Sequence, residues 1–350
     1  MECKRCLLTS DVTNIVDGVC DFCRLHDHLE KQDPAEYYKV LNDIYYNGAK
    51  VLIGISGGMD SSYLLWYTVK VLKIKPLVLH FDNGWNAEFA EKNMSILVTK
   101  LGVDLVRVYK DEYYDKLCGA LLKAGVKDLD IANDMYMADI MQQTAKRYGI
   151  KYVFNGHDFR NEGSTPLAWT YMDAKYIKSV YKWAWGEELK TKHIQTLWKQ
   201  VRSGVKQVRV FHYLDIPEEE RVSTMEAFGL ENYELKHGEN DYTKFMGYYM
   251  LPKYWNIDKR IVYLSAKVRS GYITKEEAME LLKEPTVEYI QGDDIFYDIS
   301  EATGFRIGDY KPERTYKDFD HYNFKRFKWL LKILTKLKIF PVTFYKKYAQ

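Results

Sequence analysis

Val51-Leu52-Ile53-Gly54-Ile55-Ser56-Gly57-Gly58-Met59-Asp60-Ser61-Ser62 passes from a short β-branched apolar run, through paired glycines, into a helical pattern. Val51 to Ile55 has the make-up of a buried strand. Beyond the glycines, Leu64, Leu65, Thr68, Val69 and Leu72 recur at helical spacing, so strand, loop and helix follow in order, as at the start of a βαβ unit. Paired glycines let backbone approach an anion closely. The N–H groups of a helix start point at that anion, the helix dipole favours it, and Ser61 and Ser62 add hydroxyl donors. Asp60 brings a carboxylate suited to Mg²⁺. The lysine of a Gly-x-x-x-x-Gly-Lys-Ser/Thr loop is absent, which disfavours an ordinary γ-phosphate-transferring NTPase. A plain glycine turn with a capping serine is the bland alternative, weakened because strand, glycines, Asp and double Ser are all in place.

Working outward, further strands are predicted at Pro76 to Phe81, Val103 to Val108 and Lys151 to Asn155, and another at Val205 to Phe211. Helices are predicted at Ala35 to Tyr46, Ala87 to Leu101, Asp134 to Tyr148 and within Tyr171 to Trp185. Alternating strands and helices imply an α/β fold with a doubly wound parallel sheet. Ligands of such sheets bind beyond the carboxyl ends of the strands. That places Phe81-Asp82-Asn83 and Gly156-His157-Asp158, with Arg160, Asn161 and Glu162, on the edge that carries the glycine loop. Gly54, Ser56, Gly57, Gly58, Asp60, Ser61, Ser62, Phe81, Asp82, Asn83, Gly156 and His157 are therefore expected to bind ATP. Asp60, Ser61, Asp158 and Arg160 are the catalytic candidates, with Asp60 and Asp158 holding Mg²⁺ and Arg160 neutralising charge.

The 350 residues are 47% hydrophobic, enough for a sizeable core. Net charge is only +2, yet the last thirty residues hold eight Lys/Arg and no acid, leaving 43 basic against 49 acidic residues in the first 320. Such a body offers little electrostatic attraction to nucleic acid, and none is expected as a partner. The start, Met1 to Cys6, lacks a signal-peptide pattern and no run reaches the apolar length of a spanning helix, so a cytoplasmic protein is expected. Cys3-x-x-Cys6 and Cys20-x-x-Cys23, thirteen residues apart, match a tetrahedral S₄ knuckle for structural Zn²⁺, with an iron–sulfur cluster as the alternative. Cys118 lacks the setting of a glutaminase nucleophile. In the tail, Phe324, Phe327, Leu330, Leu331, Leu334 and Leu337 share one face of a helix running from Phe324 to Lys338, and Lys325, Lys328, Lys332 and Lys336 the other. Packing on the body is the commoner fate of such a helix; peripheral contact with the inner membrane face or with a partner is the alternative. The expected units are a knuckle (1–30), an ATP-binding domain (31–163), a mainly helical substrate and oligomerisation region (164–320), where a homo-oligomer would form, and a basic amphipathic tail (321–350).

The Ser56–Ser62 loop resembles the SGGxDS signature of PP-loop ATP pyrophosphatases, the adenine nucleotide alpha hydrolase-like fold. With Gly18-Val19-Cys20, Phe81-Asp82-Asn83-Gly84-Trp85-Asn86, Asn155-Gly156-His157-Asp158 and Arg269-Ser270-Gly271-Tyr272-Ile273-Thr274-Lys275-Glu276-Glu277-Ala278, the chain is similar over residues 1 to 290 to the N-acetyl sugar amidotransferases of bacterial surface-polysaccharide and flagellin-sugar biosynthesis. The resemblance implies conversion of the N-acetyl group of a nucleotide-linked sugar into an acetamidino group. ATP adenylylates the amide oxygen, and ammonia comes from a separate glutaminase with a cyclase-like channel subunit. Tyr136, Glu162, His237, Glu239, Asn240, Tyr242 and Lys244 are the polar and aromatic residues expected at the sugar. The rival readings are a PP-loop tRNA thiolation enzyme with knuckles and a non-enzymatic zinc adaptor.

Overall fold

In the computed structural model, which describes residues 1–196, 199, 203–233, 235–286, 294–337 and 344–346, the N-terminal hairpin β1 (Ile15–Val16) and β2 (Val19–Cys20) leads into helix α1 (Asp21–Glu30). Helix α2 (Ala35–Asn47) then delivers the chain to β3 (Val51–Gly54). Next come α3 (Met59–Trp66), β4 (Leu77–Asp82), α4 (Glu88–Leu101), β5 (Asp104–Tyr109), α5 (Tyr114–Ala124), α6 (Ile131–Arg147) and β6 (Tyr152–Asn155). Helix α7 (Ala174–Trp185), strand β7 (Lys206–Arg209) and helix α8 (Glu218–Ala227) follow. The predicted strands fall within one or two residues of these, except that Val205 to Phe211 closes early in a 3₁₀ turn at Val210–His212. Helix α5, with Gly119 inside it, was not foreseen. That glycine lets the Thr303 carbonyl approach to where a Cβ would meet it at 2.1 Å.

The sheet runs β5-β4-β3-β6-β7, parallel at every pairing. Alternate side chains feed two cores, which is why the strands read as continuous apolar runs. Val51, Ile53, Val78, Tyr152, Phe154 and Val208 pack with α2, α3, α4 and α8. Leu52, Leu79, Phe81 and Val153 pack with α5, α6 and α7. Each fully buried aliphatic or aromatic side chain contributes about 1.5–3 kcal/mol. The order reverses between β3 and β6, and that switch point opens a crevice at their carboxyl ends. Strand β7 comes from the segment read as the substrate region, so the sheet is completed across that boundary.

The C-terminal region is helical: Asp241–Phe245, Arg260–Ser270, Lys275–Leu281 with a Thr274/Glu277 capping box, and Asp294–Thr303. The tail makes a 3₁₀ turn at Phe324–Phe327 and a helix at Lys328–Lys336, shorter than the predicted span; Lys338 lies outside the described residues. No described helix is long and apolar enough to cross a membrane.

Candidate active site

Gly57 turns the chain after β3 at φ +83°, where a Cβ would lie 2.4 Å from the Ala90 carbonyl oxygen, so only glycine fits. Gly58 caps α3, whose first N–H groups face the crevice. Ser61 Oγ donates to the Gly58 carbonyl (3.2 Å), lies 3.2 Å from Ser56 Oγ and accepts the Ser56 N–H. Asn93, fully buried on α4, braces the turn by donating to the carbonyls of Gly57 (3.0 Å) and Glu231 (2.9 Å). Above the loop sits Glu239, which accepts a hydrogen bond from Ser56 Oγ at 3.0 Å and whose carboxyl carbon lies 3.0 Å from the Cβ position of Gly58. A carboxylate of the chain thus rests on the anion cradle.

Gly156, after β6, brings its backbone against that of Asp60, at 3.5 Å from the Cβ position to the Asp60 carbonyl oxygen. Asp60 and Asp158 are joined by a residue that sequence reasoning missed: Arg221, fully buried on α8, reaches Asp60 Oδ1 and Asp158 Oδ2, each at 2.8 Å. Lys236 takes the other Asp60 oxygen at 3.0 Å and also pairs with Glu218 at 3.0 Å. Burial alone would raise the Asp60 pKa, but Lys236 and Arg221 outweigh it and hold the carboxyl below the usual range. The expected magnesium pair therefore needs correcting. The Arg221 guanidinium bridges the two carboxylates and each Asp60 oxygen faces a cation, so these residues as placed do not fit a divalent ion between them. Positive charge comes instead from Arg221 and Lys236, and Lys236 lines the crevice.

Arg160 also needs correcting as a charge-neutralising catalytic residue. Its Nε and Nη2 donate to Glu30 of α1 at 2.8 and 2.9 Å and its Nη1 to the Phe211 carbonyl, so it is turned to the knuckle and away from the loop. Glu162 does reach the site. Burial, reinforced by Asp60 and Asp158 against the pull of Lys236, pushes its carboxyl up to about 8. His157 lines the crevice beside it, and burial with the nearby Arg209 lowers its ring to about 3, leaving a neutral imidazole.

The crevice encloses about 2200 Å³. Gly54, Ser56, Gly58, Asp60, Ser61, Phe81, Asn83, Gly156 and His157 line it, together with Glu162, His237, Glu239 and Asn240. Asn240 donates to Asn83 Oδ1 at 2.8 Å. Other predicted residues lie elsewhere. Ser62 is buried beneath the loop, and Asp82 turns to Arg107 at 2.9 Å. Tyr136 is buried against Phe81 and Tyr114 with its hydroxyl on Asp111, and Tyr242 is buried with its hydroxyl on the Leu129 carbonyl, so neither is placed to touch a sugar. Lys244 lies over the Tyr233 ring. The crevice gains instead the stacked pair Phe89 and Tyr233, with ring centroids 5.0 Å apart, and the charged residues Lys259, Asp130 and Asp134.

In the knuckle, all four cysteines are buried, with Sγ separations of 3.7 Å (Cys3–Cys23), 3.7 Å (Cys6–Cys20) and 3.5 Å (Cys20–Cys23). Metal–sulfur bonds of about 2.3 Å in a tetrahedron set sulfurs about 3.8 Å apart, so the donor set fits a single ion. Backbone N–H groups of Arg5 and Cys20 point at Cys3 Sγ, and that of Cys23 at Cys20 Sγ. The module docks through the Leu7 N–H on Ser265, through Lys275 on the Cys3 carbonyl, and through Leu25 and Leu29 on Phe159.

Residues 239–331 match the family described as LPS biosynthesis protein WbpG-like, C-terminal domain. The cytoplasmic tRNA 2-thiolation protein 1 of Kluyveromyces lactis is 24% identical over 137 residues, and the match spans 37% of this chain and 37% of that relative's length. Among solved structures, the U34-tRNA thiolase NcsA from Methanococcus maripaludis with its 4Fe–4S cluster overlaps with a TM-score of 0.39 at 15% identity, over 87% of this chain and 96% of its own. The NMN synthetase from Francisella tularensis overlaps with a TM-score of 0.33 at 12% identity, over 78% and 94%.

Proposed function

We propose that this chain, which joins a PP-loop ATP pyrophosphatase fold to a WbpG-like C-terminal domain, is an AMP-forming amidotransferase that converts the N-acetyl group of a nucleotide-linked sugar into an acetamidino group. The observation that carries the reading is the junction of the two parts. Glu239, the first residue of the matched segment, sits on the phosphate loop, and the backbone around it pairs with the loop after β4 through Ala87 N–H to the Glu239 carbonyl (3.0 Å) and Asp241 N–H to the Trp85 carbonyl (2.8 Å). A segment that matches a domain of LPS biosynthesis proteins is thus built into the wall of the crevice proposed to take ATP.

In the proposed reaction the amide oxygen of the N-acetyl group attacks the α-phosphorus and the bond to the bridging oxygen breaks. Pyrophosphate leaves onto the Gly57-Gly58 turn and the α3 N-terminus, with Lys236 in the crevice wall beside it and Arg221 behind, neutralising Asp60 and Asp158. Ammonia then adds to the imidate carbon and AMP departs with the former amide oxygen. Loss of one proton from the entering nitrogen leaves the amidine as its amidinium cation. Glu162, whose carboxyl is pushed up to about 8 by burial, is proposed to exchange that proton. Water must be kept out, and the chain's share is otherwise positioning. Cys118, the one cysteine outside the knuckle, is buried in the core on α5, so ammonia is proposed to arrive from a separate glutaminase. The four knuckle thiolates are proposed to hold zinc, which supplies structure and leaves no open coordination position.

The test is mass spectrometry of reactions containing protein, Mg-ATP, ammonium and a panel of N-acetylated nucleotide sugars. A sugar that exchanges one oxygen for NH with one AMP formed per exchange supports the reading. The second reading, tRNA thiolation, draws on the likeness to the Kluyveromyces lactis protein; modified tRNA in a parallel assay with no sugar product would transfer the chain to it.

A further inference from the structure

The tail helix Lys328–Lys336 has one buried residue, Leu331, which packs among Phe324, Leu334, Phe344 and Tyr345. Its other faces carry two parallel stripes. Trp329, Ile333 and Leu337 follow one another at i, i+4 and i+8 and are 65%, 46% and 64% exposed. Lys328, Lys332 and Lys336, at the same spacing one residue earlier, form an exposed basic stripe beside them. Phe327, 52% exposed, extends the apolar edge, and Lys325 and Arg326 extend the basic one. Large apolar groups held out in water in a row cost free energy, and a row of cations alongside them selects what can cover them.

We propose that this helix docks on an anionic lipid bilayer, lying in the headgroup plane with Trp329, Ile333 and Leu337 inserted and the lysines on the phosphates. Charge complementarity favours that occupant. The last thirty residues hold eight Lys/Arg and no acid, whereas the first 320 carry 43 basic against 49 acidic residues, so an anionic surface attracts the tail and repels the body. An RNA backbone would meet the same lysines, but it offers nothing to aliphatic Ile333 and Leu337 and would meet the same repulsion from the body. The docked helix also orients the enzyme, because Thr335 and Lys336 reach the wall of the ATP crevice and Leu330 and Leu331 wall an apolar cavity of about 900 Å³ that shares His157, Arg209 and Lys259 with it. The inference stands on the tail alone and does not depend on which group the crevice modifies.

The test is co-sedimentation of the full chain with phosphatidylcholine vesicles, with and without phosphatidylglycerol. Binding is expected only where phosphatidylglycerol is present. Replacing Lys328, Lys332 and Lys336 together by Gln should lower the partition coefficient roughly a hundredfold. Trp329→Ser with Leu337→Ser should leave weak binding that vanishes at high salt. Unchanged melting temperatures identify both as surface variants. Failure of the wild-type chain to sediment, equal sedimentation with phosphatidylcholine alone, or tail-dependent retention of RNA without vesicle binding would each overturn the proposal.

Discussion

Arg221→Met tests the electrostatic logic of the crevice most directly. The wild-type guanidinium is fully buried, 2.8 Å from both Asp60 and Asp158 and 4.8 Å from the Phe211 ring centroid. Methionine keeps the volume against Phe211 and deletes the charge, leaving two carboxylates to face each other with Lys236 on one of them. Removing one partner of a buried ion pair costs about 3–5 kcal/mol. With an unfolding entropy of about 2.1 cal/mol/K per residue over 350 residues, that corresponds to a melting temperature lower by roughly 4–7 °C. The pH dependence follows from the sign of the shift. Asp60 is held below its unfolded pKa, so its contribution is complete above about pH 4 and is lost as pH falls through the folded value. The variant's stranded carboxylates regain protons at higher pH, so the gap between wild type and variant is full at about pH 7 and narrows toward about pH 4. Differential scanning fluorimetry across that range measures it, alongside pyrophosphate release, which should fall on the order of 10²–10³-fold. A variant with wild-type melting and release, or a gap constant over the pH range, refutes the reasoning.

Gly57→Ala forces a side chain into a φ of +83° and against Ala90, at a conformational cost of about 1–2 kcal/mol before the clash, so nucleotide binding by calorimetry should weaken more than tenfold. Cys20→Ser should lower the metal content measured by elemental analysis and the melting temperature together, since ligand loss and unfolding of the module are linked; full metal retention would contradict the single-ion site. Glu162→Gln removes a carboxyl whose folded pKa, about 8, lies above its unfolded value. Because the folded state holds that proton more tightly, wild-type stability declines as pH rises from about 4.5 to 8, and the variant's melting temperature should be flatter over that window.

The strand, glycine turn and helix at residues 51–72 were legible because each carries its own local period, and the cysteine spacing was legible because ligation fixes it. The cations were not. Arg221 lies in Pro217-Glu218-Glu219-Glu220-Arg221, which reads as the solvated first turn of a helix, and only packing of α8 on α3 buries it. Lys236 sits next to His237, yet nothing local distinguishes it from a surface lysine until Asp60 and Glu218 close on it. Tyr136 and Tyr242 misled for the opposite reason. A tyrosine hydroxyl signals a ligand contact from sequence but is equally content in a core, here on Asp111 and on the Leu129 carbonyl. Arg160 was placed on the correct loop, but its direction depends on Glu30, 130 residues earlier.

The carboxylate of Glu239 on the phosphate loop has a kinetic corollary. Ser56 has a single hydroxyl proton and donates it to Glu239, so a phosphate oxygen that takes this proton must compete with the carboxylate at the start of the WbpG-like segment. On the proposed reading ATP is expected to bind before the sugar, and initial-rate and product-inhibition patterns should show an ordered scheme; random addition would mean that Glu239 yields without consequence for its neighbours. With a carboxylate 3.0 Å from Ser56 Oγ, the arrival of any phosphate at this loop is an exchange of one negative charge for another.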